Sequence, residues 1–160
     1  MPSILFVCTA NQFRSPIAAA CLSNLIEREE RIQKRWRVES AGTWARSGIS
    51  APIIAVQVAH SLGLPGLEGH LTRRVDRALL ARFDLVIVME IGHKEALCIE
   101  FPSMCQRLYL LSEIVDGIRY DIPDPDGAGV TPADAGALIF DLLARGKEKI
   151  LDLAESLCKK

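Results

Sequence analysis

The chain has 160 residues, of which 49% are hydrophobic and 24% are charged. A chain of this length forms one domain with a sizeable core, and its composition excludes an intrinsically disordered protein. Because 19 Lys and Arg residues face 20 Asp and Glu residues, the net charge is −1, which excludes a general electrostatic attraction to nucleic acid or membranes.

The apolar run at residues 4–7 is too short for a secretory signal and lacks a basic flank. No segment approaches the length of a membrane span, so a cytoplasmic, reducing location is expected. The five cysteines are scattered and include no C-x2-C pair, so we expect most of them to be free thiols.

The first half of the chain alternates short apolar runs with helical patterns. Residues 4–7 (ILFV) predict a strand, and the apolar spacing over 17–28 predicts a helix. Residues 37–39 lead into a turn predicted over 40–44. Residues 51–62 fit a buried helix, although their β-branched content leaves a strand as the alternative.

The second half continues this alternation. Apolar runs at 85–88 and 108–111 are typical of strands buried on both faces of a parallel sheet. A long amphipathic helix follows, with Thr131 as N-cap and Pro132 as first helical residue, and Gly146 is expected to weaken its middle. Strands separated by helices predict an α/β fold, a single domain whose central parallel sheet carries helices on both faces.

The segment CTANQFRSP, residues 8–16, carries the strongest chemical signal in the sequence. Cys8 follows the first strand, where ligands bind in such folds, and Ser15 and Pro16 fit the N-cap and first residue of a helix. The loop between them can bind an anion through its N–H groups, and the same positive field stabilises a thiolate at Cys8. The guanidinium of Arg14 can hold two oxygens of a tetrahedral anion. We therefore predict a cysteine nucleophile that attacks phosphorus; a core thiol with a solvated arginine is the alternative.

The segment VCTANQFRSPIA, residues 7–18, resembles the signature of the low-molecular-weight protein tyrosine phosphatases. The likeness extends to SAGTW (40–44), GHLTRR (69–74), FDLVIVME (83–90) and DIPDPDG (121–127). It implies one phosphatase domain over 1–160, with a phosphotyrosine phosphatase I-like fold of four parallel strands and helices on both faces. It also implies hydrolysis of phosphotyrosine monoesters through a phosphocysteine intermediate, without a cofactor or metal.

The resemblance implies roles for individual residues. Cys8 would be the nucleophile, Arg14 would clamp the oxyanion, and Asp124 would act as general acid and then general base. Asp121 and Asp126 are further carboxylates of the same loop, and an ordinary Asp-Pro turn is the alternative there. A hydrogen-bond network holding the loop would contain Asn11, Ser15, Ser40 and His70. The substrate-binding residues would be Thr9, Ala10, Asn11, Gln12, Phe13, Ser15, Trp44 and Asp126.

Several positions depart from the family pattern. Ala10 replaces a glycine, which would cost of the order of 1 kcal/mol if the backbone there required a positive φ. Phe13 replaces a second cysteine that can trap the oxidised nucleophile as a disulfide, so Cys8 is expected to over-oxidise more readily. Gln12 replaces a small or aliphatic residue, and Asp126 stands where an aromatic wall is common. We expect these substitutions to set the substrate preference.

Other functions fit parts of the sequence. An arsenate reductase of the same fold would relay oxidation through Cys98 and Cys105, but the position of this pair after the 83–90 strand favours an incidental occurrence. A phosphate-binding module without catalysis is supported only by Ala10 and Phe13. A protein arginine phosphatase is a variant within the family, with Gln12 as the selector. As partners we expect a phosphotyrosine-bearing protein substrate, no nucleic acid, and self-association no stronger than a weak dimer, or a monomer.

Overall fold

The computed structural model describes residues 1–29, 35–127 and 129–158. Within these residues, the strands are β1 Ser3–Cys8, β2 Arg37–Gly42, β3 Leu85–Val88 and β4 Leu108–Leu110. They form a four-stranded parallel sheet with the order β2-β1-β3-β4. The predicted α/β fold with a parallel sheet is confirmed.

Helices cover both faces of the sheet. They are α1 Arg14–Glu27, α2 Ile53–Ser61, α3 Arg77–Leu80, α4 Ile91–Glu100, α5 Leu111–Asp116 and α6 Pro132–Cys158, with 3₁₀ segments at Leu67–Gly69 and Pro102–Arg107. As a result β1 is buried on both sides: Ile4 and Phe6 contribute to a core shared with α1, α2, α5 and α6, whereas Leu5 and Val7 contribute to a core shared with α3 and α4. No helix in the described parts of the chain is long and apolar enough to cross a bilayer.

Some predicted element bounds differ from the structure. The extended segment at 37–39 continues to Gly42, because residues 40–42 pair with β1 instead of turning. Residues 51–62 contain helix α2, so the strand alternative is wrong. Leu111 begins α5 and does not extend β4.

The cysteines divide into two groups. Cys8, Cys21 and Cys158 are free, as expected for most of them. Cys98 and Cys105, treated as incidental above, form a disulfide between α4 and the following 3₁₀ segment. The chain reverses at Phe101, whose N–H donates to Leu97 O, and this reversal brings the two cysteine Cα atoms to 4.8 Å.

Helix α6 begins as predicted and continues through Gly146. Thr131 Oγ1 accepts a hydrogen bond from Asp134 N at 3.1 Å, and Pro132 is the first helical residue. Gly146 is buried where α6 packs against α5, and a Cβ atom there would overlap a methyl group of Val115. The glycine therefore permits the close approach of the two helices.

Replacing Gly146 with alanine should destabilise the protein. Helix propensity alone favours alanine by about 1 kcal/mol. Inserting a methyl group that overlaps the stiff, buried Val115 side chain costs about 2–3 kcal/mol, the upper part of the usual range for overpacking, so packing outweighs propensity. We expect a net loss of about 1–2 kcal/mol in the free energy of unfolding, measured by urea denaturation. An unchanged or larger unfolding free energy would argue against this close packing.

Candidate active site

The loop of residues 8–13 joins the carboxyl end of β1 to α1. Helix α1 begins at Arg14, so Ser15 lies inside its first turn, and Phe13 occupies the N-cap position without a side-chain cap. The prediction that Ser15 is the N-cap is therefore wrong. Its hydroxyl is instead engaged by the side chains of Cys8 and Asn11.

Cys8 lies at the base of this loop, with its side chain 2% exposed. Its Sγ is 3.0 Å from Ser15 Oγ, which also lies 3.2 Å from the carbonyl oxygen of Ala41. A thiolate can only accept, so ionised Cys8 receives the single hydroxyl proton of Ser15. When Cys8 is protonated, the thiol can donate to Ser15, and the hydroxyl can turn to Ala41. The Ser15 hydroxyl therefore donates to the sulfur when Cys8 is ionised and can donate to Ala41 O when Cys8 is protonated.

Asn11 connects the loop to the neighbouring elements. It has φ 59°, the one positive value at a non-glycine residue among the described residues, and asparagine tolerates this conformation. Its Nδ2 donates to Ser15 Oγ at 2.9 Å and to Ser40 Oγ at 3.0 Å. Its carbonyl oxygen accepts from His70 Nε2 at 2.7 Å, and its Oδ1 accepts from Arg73 N at 3.0 Å. The structure thus brings the four predicted network residues together.

The glycine that the loop needs is at position 42. Ala10 is exposed and its φ is not positive, so the strain considered for this position does not arise. A Cβ atom at Gly42 would overlap Thr9 O and lie 2.9 Å from Asn11 N. In the sequence, Gly42 stood out only as part of the SAGTW segment. Its contact with the loop joins residues that are far apart in the chain, so no local pattern could predict it.

Arg14 is a buried cation, 2% exposed. Its Nη1 donates to Ile122 O at 2.8 Å and to the Glu90 carboxylate, while its Nη2 donates to Thr9 Oγ1 at 3.4 Å and Asp124 Oδ2 at 3.3 Å. Carboxylates on two sides offset the cost of burying the charge. Glu90 and Ile122 engage Nη1, whereas Nε donates to none of the described residues and the two contacts of Nη2 are long, at 3.3 and 3.4 Å. A bound oxyanion can therefore be held by the Nε–Nη2 edge.

The three aspartates of the 121–127 segment occupy different positions. Asp124 contacts Arg14, with 40% of its side chain exposed. Asp121 Oδ1 accepts from Ile91 N at 2.8 Å, at the amino end of α4. Asp126 is exposed, and its N–H donates to Asp124 Oδ1 at 3.1 Å. Of the three, Asp124 is therefore the carboxylate in contact with the arginine of the loop.

His93 and Glu90 were not predicted as site residues. His93 lies in the first turn of α4, and its Nε2 is 2.9 Å from Thr9 Oγ1. Burial lowers the pKa of His93 by more than the neighbouring Glu90 carboxylate raises it, and the Arg14 charge lowers it further. The imidazole is therefore neutral at pH 7. The available sequence signal was the Glu90-to-His93 spacing of a helix capping box.

The remaining predicted substrate-binding residues differ in exposure. Trp44 is 76% exposed beside the loop, and the Arg74 guanidinium lies 5.4 Å from its ring centroid. Gln12 is half-buried. The Phe13 side chain packs into the hydrophobic core, so only its backbone faces the loop, and its role in binding substrate stays a prediction.

Peroxide should inactivate the protein in a way that dithiothreitol does not reverse. Phe13 supplies no second thiol, and burial raises the pKa of Cys21 to about 12, which keeps that thiol protonated and unreactive. The variant Phe13→Cys should recover activity after dithiothreitol, because a disulfide can protect Cys8, whereas Phe13→Ser should not. Full recovery of the unmodified protein would show that another thiol protects Cys8.

Comparisons with known proteins agree with this geometry. The family model for low molecular weight phosphotyrosine protein phosphatase matches residues 3–160. The low molecular weight protein-tyrosine-phosphatase Wzb of Escherichia coli (strain K12) is 37% identical over 125 residues, which cover 77% of this chain and 77% of that protein. The structure of YwlE arginine phosphatase from Geobacillus stearothermophilus is similar with a TM-score of 0.82 at 30% identity, covering 95% of this chain and 94% of that chain.

A YwlE arginine phosphatase variant with a phosphorylated active-site serine is also similar. Its TM-score is 0.80 at 28% identity, and the match covers 99% of this chain and 97% of that chain. That relative therefore carries a phosphoryl group on an active-site side chain, as a phosphoenzyme mechanism requires. The match of the family model over nearly the whole sequence, together with the identity to Wzb, shows that this chain belongs to the low molecular weight phosphotyrosine protein phosphatase family.

Proposed function

We propose that this chain hydrolyses phosphotyrosine monoesters of phosphoproteins in two steps, through a phosphocysteine at Cys8. The observation that carries the proposal is the convergence of a cysteine, an arginine and a carboxylate on one loop. Cys8 Sγ is 3.0 Å from Ser15 Oγ in the first turn of α1, and Arg14 Nη2 is 3.3 Å from Asp124 Oδ2. Membership of the phosphatase family supports the same reaction.

In the first step the Cys8 thiolate attacks phosphorus. An S–P bond forms, the P–O bond to the tyrosine breaks, and its electron pair goes to the phenolic oxygen. Asp124 donates its proton to that oxygen, so tyrosine leaves in the neutral form. The loop N–H groups and the Nε–Nη2 edge of Arg14 hold the phosphoryl oxygens as their charge redistributes.

In the second step water hydrolyses the phosphocysteine. The Asp124 carboxylate takes a proton from the water, whose oxygen attacks phosphorus, and the S–P bond breaks with its electron pair returned to sulfur. The Ser15 hydroxyl donates to the departing thiolate, and the network through Asn11 holds that hydroxyl in place. Phosphate is released, and Asp124 is left protonated for the next cycle.

The surroundings of the loop support a protein substrate. The exposed ring of Trp44 can form one wall for the tyrosine ring. Asp126 places a negative charge at the rim, which disfavours acidic phosphopeptides. The monomeric or weakly dimeric state, the cytoplasmic location and the lack of a nucleic-acid partner stay predictions.

The alternative activities are less well supported. An arsenate reductase needs further cysteines that can exchange with Cys8. The Cys98–Cys105 disulfide joins the carboxyl end of α4 to the next segment, whereas the amino end of α4 faces the loop. The two cysteines therefore lie at the end of α4 that is away from Cys8. Phosphoarginine is the substrate to compare with phosphotyrosine, because a similar structure is that of an arginine phosphatase.

The role of Asp124 can be tested with a series of aryl phosphates. We expect Asp124→Asn to lower kcat/KM by about 10²–10⁴-fold for phenyl phosphate. The loss should be much smaller for p-nitrophenyl phosphate, because nitrophenolate leaves without a proton and kcat/KM reports the first step. Asp126→Asn is the matched control and should keep the leaving-group dependence of the unmodified protein. If both variants lost kcat/KM equally, or if Asp124→Asn lost none, Asp124 would not be the general acid.

The substrate class can be tested with two peptides of one sequence, carrying phosphotyrosine or phosphoarginine. We expect the higher kcat/KM for phosphotyrosine. A clear preference for phosphoarginine would assign this chain to the arginine phosphatases. It would also support Gln12, the half-buried loop residue that departs from the family pattern, as the residue that selects the substrate.

A further inference from the structure

His93 is a buried histidine beside the loop, and it takes no part in the two steps described above. It is 6% exposed, and its ring contacts two different elements. On one side, Nδ1 lies 3.2 Å from the backbone nitrogen of Glu90. On the other side, Nε2 lies 2.9 Å from Thr9 Oγ1, in the loop. The ring therefore connects the amino end of α4 to the residue that follows Cys8.

The hydrogen bonds of His93 define its tautomer. A backbone N–H can only donate, so Nδ1 accepts from Glu90 and carries no proton. A neutral imidazole then carries its proton on Nε2, which donates to Thr9 Oγ1. The Thr9 hydroxyl thus accepts from His93.

The Thr9 hydroxyl also accepts from Arg14, whose Nη2 lies 3.4 Å away. A hydroxyl has two acceptor sites and one proton. Since His93 and Arg14 use both acceptor sites, the proton must be donated elsewhere. Among the described residues, Thr9 Oγ1 donates to no protein acceptor. The free donor lies beside the same guanidinium nitrogen that contacts Asp124.

We propose that His93 is a positioning residue that keeps the Thr9 hydroxyl proton directed to an oxygen of the phosphoryl group. The inference rests on the proposed function, because it takes Arg14 and the loop as the phosphoryl site. Thr9 then donates to the phosphoryl group from its side chain, alongside the loop N–H groups and the Arg14 guanidinium. Its contribution is largest in the transition state, where the phosphoryl oxygens carry shifting charge.

Two pairs of variants separate this role from simple helix capping. Thr9→Val removes the hydroxyl at constant shape, and Thr9→Ser keeps it. His93→Asn keeps an acceptor for the Glu90 N–H but cannot reach Thr9, whereas His93→Gln can reach Thr9 with an N–H donor. A helix-capping role alone predicts that asparagine is the better replacement, and the positioning role predicts glutamine.

We expect Thr9→Val to lower kcat/KM for p-nitrophenyl phosphate by about 10-fold, as for loss of a hydrogen bond to a charged group. His93→Asn should lower it about 3- to 10-fold, and the double variant should be no worse than Thr9→Val alone. Thr9→Ser and His93→Gln should retain most of the activity. The inhibition constant of orthovanadate, which forms a five-coordinate adduct, should rise in parallel, with a smaller change for inorganic phosphate.

The outcomes distinguish failure of this inference from failure of the proposed function. If the unmodified protein turns over p-nitrophenyl phosphate but Thr9→Val is fully active, Thr9 donates nothing and the inference is wrong. The inference would also be wrong if the losses in kcat/KM from Thr9→Val and His93→Asn multiplied in the double variant. If the unmodified protein neither turns over the substrate nor binds orthovanadate, the proposed function itself fails. Should His93→Asn fail to fold, the Thr9 pair and His93→Gln still decide the matter.

Discussion

Replacing Cys8 with serine should lower the turnover of p-nitrophenyl phosphate by about 10⁴-fold or more, as for loss of the nucleophile of a catalytic unit. A serine hydroxyl stays protonated at neutral pH, and the group beside Cys8 is the hydroxyl of Ser15, which is not a base. Serine is also a poorer leaving group in the second step. The loop itself should persist, because Asn11 and Arg14 keep their hydrogen bonds.

Phosphate binding provides the internal check on this variant. Cys8→Ser should still bind inorganic phosphate, since the N–H groups and Arg14 remain in place. Cys158→Ser is the matched control, because Cys158 is an exposed free cysteine at the end of α6, and it should leave turnover unchanged. Substantial turnover by Cys8→Ser would mean that the nucleophile is elsewhere.

Replacing Gly42 with alanine should cost activity as well as stability. The added Cβ would overlap Thr9 O and lie 2.9 Å from Asn11 N, so the loop must move. Displacing catalytic groups by about 1 Å can cost about 10²-fold in rate, and we expect a loss of this size in kcat/KM. Overpacking should also lower the free energy of unfolding by about 1–3 kcal/mol.

Gly146→Ala is the control for Gly42→Ala. Both substitutions place a methyl group in a filled space, but Gly146 faces Val115, outside the loop. Gly146→Ala should therefore lose stability while the folded protein keeps its kcat/KM. Equal activity losses in the two variants would indicate that stability alone, and not the position of the loop, limits the activity.

The sequence was informative where a property depends on local pattern. β1 and β3 contain continuous apolar runs, and Cys8 and Arg14 lie at the end of β1 and the start of α1. The Thr131 cap is likewise a property of a few adjacent residues. These features could be predicted because neighbours in the chain determine them.

Tertiary contacts account for what the sequence did not reveal. Glu90 contacts Arg14 across 76 positions of the chain, and His93 contacts Thr9 across 84, so no local pattern reports either pairing. Ser15 fits a helix cap in sequence, but in the fold its hydroxyl lies between Cys8 and the carbonyl oxygen of Ala41, which is 26 positions away. Phe13 lies in the loop by sequence, yet its side chain packs into the core.

Trapping the phosphoryl group on Cys8 is the most direct test of the two-step mechanism. In Asp124→Asn, p-nitrophenyl phosphate should still phosphorylate the protein, whereas hydrolysis of the phosphocysteine should be slow. We predict a burst of p-nitrophenolate stoichiometric with the protein, and a phosphoryl group on the peptide containing Cys8 after a rapid denaturing quench. Turnover without a burst, or a phosphoryl group on any other residue, would contradict the account.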